Sequence, residues 1–168
     1  MIIGVDANGA SLREVSHKAS RKPARGGLSN VMFGRVALED APGELIRIAD
    51  VLTILFPWGS LLRAVATAEP GALLKLAAIG KAGARVRFLF GYDPEKDARE
   101  IEEGLPALGT SSILRWLEAE YAKAGFQIRA QYAARDEVAT VQSTWAKKIA
   151  FSGTRRRFIG LTGEVGQP

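Results

Sequence analysis

The sequence predicts an α/β fold, a doubly wound and mostly parallel sheet with antiparallel strands at its C-terminal edge. Three observations carry that expectation. Strand-like apolar runs alternate with helical stretches from residue 1 to about residue 123. Val51 to Phe56 is an apolar run that stops at Pro57-Trp58-Gly59, as a buried parallel strand does at the carboxyl edge of its sheet. Phe126 to Tyr132 and Arg157 to Val165 then read as a late pair of strands.

Taken in order, residues 1–6 form a strand ending in an acid, Asp6. Ser11 and Glu14 have capping-box spacing for a helix running to about Arg21. Pro23, Gly26 and Gly27 make a loop of residues 22–29, and Asn30 to Val36 is the second strand. A short turn or helix follows around Glu44 to Ile48, then the strand Val51 to Phe56. A helical region from Ser60 breaks near Pro70-Gly71 and resumes through Leu73 to Lys81. Val86 to Phe90 is the fourth strand. Beyond an acidic linker, a helix from about Ser111 to Lys123 carries Trp116 and Tyr121 as packing residues. A further helical stretch through Val141 to Ala150 separates the last two strands.

At 168 residues, with 47% hydrophobic and 24% charged residues, the chain suits one globular domain with a sizeable core. No apolar stretch is long enough to span a bilayer, so no membrane partner is expected. The absence of cysteine excludes disulfides, thiolate metal sites and thiol catalysis, and it fits a cytoplasmic location. A single histidine, His17, makes no metal cluster.

The net charge of +5 is unevenly spread. Arg13, His17, Lys18, Arg21, Lys22 and Arg25 are opposed only by Glu14, and Lys147, Lys148, Arg155, Arg156 and Arg157 by no acid. Two such blocks suit a polyphosphate partner, although on charge alone each could be a solvated face. Trp145 leads directly into the second block, and Trp58 sits in a Pro-Gly turn rather than on a packed face. An indole beside basic residues has the form of half a stacking clamp for a base.

Gly4-Val5-Asp6, Lys22-Pro23-Ala24-Arg25-Gly26-Gly27-Leu28-Ser29-Asn30-Val31, Leu55 to Ser60, and Trp145 to Phe151 occur in that order. Together they resemble the aminoglycoside-resistance 16S rRNA adenine-1408-N1 methyltransferases of the kanamycin–apramycin group, over nearly the whole chain. The resemblance implies a Rossmann-like fold, S-adenosylmethionine as cofactor, and methylation of adenine 1408 in the 30S subunit by what is expected to be a monomer. It places Asp6 on the donor's ribose hydroxyls, Leu38, Glu39 and Leu55 around its adenine, and Ser143 near the donor. Pro57 then begins the catalytic loop, and Trp58 and Trp145 sandwich the target base. Lys18, Arg21, Lys22 and Arg25 match a linker that grips rRNA phosphates, in which His17 stands where a lysine is common. Lys147, Lys148, Arg155 and Arg157 extend the RNA surface, with one arginine of 155–157, Arg157 favoured, orienting the target nucleotide. The family's first strand and its glycine-rich loop would precede Asp6, so residues 1–168 are expected to be one methyltransferase domain lacking that N-terminal unit. Two alternatives stand beside this: a methyltransferase for another RNA, such as a tRNA purine, or a non-catalytic RNA-binding remnant.

Overall fold

A computed structural model of the chain describes residues 1–93, 97, 104–141, 146 and 156–166. The chain divides into two compact units, Met1–Gly43 and Glu44–Pro168.

The first unit is a strand–helix–strand arrangement. β1 (Ile2–Asp6) pairs in parallel with β2 (Val31–Arg35), in a register that sets Ile2 opposite Val31 and Asp6 opposite Arg35. Between them runs α1 (Gly9–Ala19). Its N-cap is Asn8, whose side chain accepts a hydrogen bond from the Ala10 N–H at 3.0 Å. The expected start at Ser11 is therefore late by about a turn, because Asn8 already satisfies one of the free N–H groups of the first turn. After α1 the chain turns through a short 3₁₀ segment, Pro23–Arg25, and after β2 through another, Leu38–Asp40. None of residues 1–43 is buried, so hydrogen bonds and partial apolar contact hold this unit's elements.

The second unit is built on a four-stranded sheet in the order β3-β4-β6-β5, from β3 (Ala49–Leu55), β4 (Gly80–Tyr92), β5 (Phe126–Tyr132) and β6 (Arg157–Val165). β3 and β4 are parallel, whereas β6 runs antiparallel to both its neighbours. The described sheets are therefore mixed rather than mostly parallel, with two parallel and two antiparallel pairings. The antiparallel strand also lies one place in from the edge, which β5 occupies. Four consecutive buried residues, Phe158 to Leu161, explain this: a strand apolar on both faces is satisfied between two neighbours.

α2 (Gly59–Ala66), α3 (Pro70–Ile79), α4 (Ile113–Lys123) and α5 (Arg135–Thr140) complete the unit. β4 starts earlier than its apolar centre suggests, because Gly80 pairs with Ala49 before a bulge brings Arg85 opposite Val51. One core group is aromatic: Phe88, Tyr121 and Phe126 lie with ring centroids 5.5–6.3 Å apart, and the Tyr121 hydroxyl donates to the Val65 carbonyl at 3.0 Å. Tyr121 packs as expected. Trp116 does not, and remains 38% exposed, because α4 turns Ile113, Leu117 and Tyr121 inward at four-residue spacing.

Candidate functional site

Parallel pairing puts the functional candidates of each unit at the carboxyl edge of its sheet. In the first unit β1 ends at Asp6 and β2 at Arg35, and the Val36 N–H donates to the Asp6 carbonyl at 3.1 Å. Leu38 and Glu39 follow at the same edge, in the 3₁₀ turn. The Asp6 side chain is exposed, and its Oδ1 accepts from the Asn8 N–H at 2.7 Å. A carboxylate fixed by one oxygen in this way still presents lone pairs to a ligand hydroxyl.

The basic residues of this unit come together in space as well as in sequence. His17 and Arg21 are four apart, as are Arg21 and Arg25; α1 and the turn after it place these three, with Lys22, around an open cleft of ≈ 390 Å³. Lys18 lies beside them and pairs with Glu14 one helical turn back, an exposed ion pair. The hydrogen bond and the charge of Lys18 hold the Glu14 carboxyl below its usual range. The loop is folded tightly against the helix end. The Leu28 N–H donates to the Ala19 carbonyl at 2.8 Å, and the Gly27 and Arg25 N–H groups both donate to the Lys22 carbonyl. Gly27 has no room for a side chain, since a Cβ there would lie 1.6 Å from the Arg21 carbonyl oxygen.

In the second unit, β3 delivers Leu55, Pro57 and Trp58 to its carboxyl edge, where α2 starts at Gly59 with Trp58 as N-cap. Trp58 and Pro57 are half-buried and Leu55 is 38% exposed. Because β6 is antiparallel, its first residue, Arg157, arrives at this same edge opposite Tyr92. The Arg157 guanidinium lies over the Tyr132 ring, 5.8 Å from its centroid, a cation–π arrangement. The Tyr132 hydroxyl donates to the Thr110 carbonyl at 3.1 Å and that of Tyr92 to the Pro106 carbonyl, so two tyrosines tie residues 106–110 to the sheet. Burial pushes the Tyr92 and Tyr121 hydroxyls well above the usual phenol range.

Two features of this edge were not singled out from the sequence. The Arg156 guanidinium meets the Asp97 carboxylate at 2.6 Å with both side chains buried, and the other Asp97 oxygen accepts from the Asp93 N–H at 2.9 Å. The alternation of an acidic stretch near 97 with a basic one near 156 was the only sequence signal for it. The second is Phe56, buried beneath the turn, for which the apolar run gave a strand end but no role. The remaining candidates, Ser143, Trp145, Lys147, Lys148 and Arg155, lie outside the described residues. Among the described residues no group of three histidine, aspartate or glutamate side chains could hold a metal ion, and no helix is long and apolar enough to cross a membrane.

Residues 1–164 match the family described as NpmA, 16S rRNA (adenine(1408)-N(1))-methyltransferase. The chain is 38% identical over 168 residues to a 16S rRNA (adenine(1408)-N(1))-methyltransferase from Escherichia coli, covering 98% of this chain and 76% of that protein. It is also similar to the crystal structure of the 16S rRNA methyltransferase KamB, with a TM-score of 0.80, 29% identity, and 99% and 77% of the two chains covered. A tryptophan-to-alanine variant of the 16S rRNA (adenine(1408)-N(1))-methyltransferase from Catenulisporales acidiphilia, solved with cosubstrate SAM, matches with a TM-score of 0.78. That match has 29% identity and covers 99% of this chain and 75% of the other.

Proposed function

The chain belongs to the 16S rRNA (adenine(1408)-N(1))-methyltransferase family, and on that premise we propose that it transfers a methyl group from S-adenosylmethionine to N1 of adenine 1408, giving aminoglycoside resistance. The observation that carries the reading is the Pro57-Trp58-Gly59 turn, held at the carboxyl edge of β3 within a chain that matches the family from residue 1 to 164. The substrate is the rRNA within the 30S subunit, and the enzyme works as a monomer in the cytoplasm. The order β3-β4-β6-β5, with β6 reversed, we read as part of a Rossmann-like methyltransferase sheet.

S-adenosylmethionine supplies an electrophilic methyl group on a positively charged sulfur. Asp6 fits its ribose, being an exposed strand-end acid steadied from one side by the Asn8 N–H. Leu38, Glu39 and Leu55 serve the donor's adenine, and Ser143 acts near the donor. Adenine N1 attacks through its own lone pair, so the chain has no proton to remove and needs neither a cysteine nor a catalytic histidine. The difficulty is access, because N1 lies on the base-pairing edge and the base must be turned out and held. Trp58 and Trp145 hold it, stacking being worth roughly 1–3 kcal/mol per base. Positive charge moves onto the adenine as the methyl transfers, and indole faces favour a cation there. Pro57 fixes the turn. His17, Lys18, Arg21, Lys22 and Arg25 grip phosphates, as do Lys147, Lys148, Arg155 and Arg157; these contacts position the subunit without reading its sequence.

Incubation with methyl-labelled S-adenosylmethionine and either 30S subunits, 50S subunits or tRNA tests the proposal. Label in 16S rRNA alone supports it. Label in tRNA alone favours the tRNA purine alternative, and binding to 30S without transfer favours the non-catalytic remnant.

A further inference from the structure

The residue just ahead of the Pro57-Trp58 turn has an unusual backbone. Phe56 has φ of 52°, in the left-handed region that a bulky side chain rarely adopts. A conformation of that kind persists only where its surroundings over-determine it, and such residues cluster at functional sites. Here two constraints act together. The Phe56 N–H donates to the Leu89 carbonyl at 2.7 Å, the last rung between β3 and β4. Its ring is 9% exposed and meets the ring of Phe158 edge to face, with centroids 6.3 Å apart at 85°. The same apolar cluster contains Leu89 from β4, Val138 from α5, and Ala146, the residue that follows Trp145 in the chain. β3 therefore leaves the sheet through one strained residue whose side chain is anchored in the core.

We infer that Phe56, seated against Phe158, is a positioning residue that sets the direction in which Pro57 and Trp58 leave β3, and so the indole face offered to the substrate base. The role of that face rests on the function proposed above; the anchoring of Trp58 by Phe56 does not. Removing the ring frees the left-handed turn to relax toward ordinary backbone, and a misplacement of about 1 Å at a reacting group costs on the order of 100-fold in rate. Phe88 makes a suitable control, since it is fully buried and its ring packs with Tyr121 and Phe126 in a group separate from the apolar cluster that holds Phe56.

The test has two readouts on the full chain. The first is the fluorescence anisotropy of Trp58 in a background carrying Trp116→Phe and Trp145→Phe. It should fall in Phe56→Ala and Phe158→Leu, recover in Phe56→Met, and stay unchanged in Phe88→Leu. Anisotropy unchanged in Phe56→Ala, or lowered equally in Phe88→Leu, overturns the inference. If Phe56→Ala does not fold, Phe56→Leu and Phe158→Leu decide by the same criterion. The second is single-turnover methylation of 30S subunits, with the tryptophans intact. Phe56→Ala should lower the rate constant roughly 100-fold while leaving affinity for the subunit within about twofold, and Phe56→Met should restore most of the rate. A wild-type rate in Phe56→Ala overturns the inference. An inactive unsubstituted chain would instead overturn the proposed function, and the anisotropy would still decide the anchoring.

Discussion

Gly27→Ala separates the geometry of the basic cleft from its charge. The substitution leaves the net charge of +5 untouched. Its new Cβ would start 1.6 Å from the Arg21 carbonyl oxygen and 2.4 Å from the Arg21 carbonyl carbon, both main-chain atoms that cannot swing aside. To reach even 3.0 Å from the oxygen, the loop and the helix end must part by about 1.4 Å. The hydrogen bond from Leu28 to Ala19, now 2.8 Å, would then be stretched beyond use. Losing it costs about 0.5–1.5 kcal/mol, and forcing atoms into a filled space about 1–3 kcal/mol. No buried residue in this unit offers compensation. The turn Pro23–Arg25 should therefore open, and His17, Arg21, Lys22 and Arg25 should lose their fixed spacing. A residual loss of about 1.4 kcal/mol in binding is tenfold in affinity. Equilibrium binding to 30S subunits at physiological salt, with far-ultraviolet circular dichroism to confirm that the rest of the fold survives, measures it. The expected result is affinity at least about tenfold weaker at unchanged net charge. Wild-type affinity would show that the cleft works as diffuse charge and that its folded shape is irrelevant.

Trp58→Ala should reduce methylation of 30S subunits by roughly 5- to 150-fold, the equivalent of one lost stacking contact, with little change in melting temperature because the indole is only half-buried; early melting with normal methylation would contradict a stacking role. Asp97→Ala breaks the buried pair with the Arg156 guanidinium and should lower unfolding free energy by about 3–5 kcal/mol in urea titrations. An unchanged midpoint would deny that the pair is buried. The Tyr92 and Tyr121 hydroxyls, raised by burial, favour the folded state below the ordinary phenol pKa of about 10, and that contribution is lost as pH climbs above it. Phenolate absorbance near alkaline pH should therefore show two of the three tyrosines ionising only as the protein unfolds, and smooth titration of all three in the folded chain would refute it.

Local signals were the legible ones. β5 and β6 have the bounds expected from the sequence, Phe126–Tyr132 and Arg157–Val165. The basic block could be read because Arg13, His17, Lys18, Arg21, Lys22 and Arg25 crowd one stretch of chain; that four of them line a cleft depends on the turn after α1. What needed the structure depends on tertiary context. The placement of β6 between β4 and β5 is set by which strand buries two faces, not by sequence order. The Asp97–Arg156 pair joins residues 59 positions apart, and charge bias alone does not select partners over that distance. Phe56 was hidden for a different reason. Its apolar side chain reads as a strand residue, while its left-handed backbone, which propensity gives to glycine, is imposed by packing against Phe158.

Reverse transcription across position 1408 of 16S rRNA tests the proposed function most directly, on 30S subunits treated with the chain and S-adenosylmethionine. A methyl on N1 blocks base pairing, so the extension should stop one nucleotide before 1408. The stop should require the donor, weaken in Trp58→Ala at matched times, and be absent from untreated subunits. Full read-through at 1408, with the donor present and the subunits bound, would contradict adenine-N1 methylation by this chain.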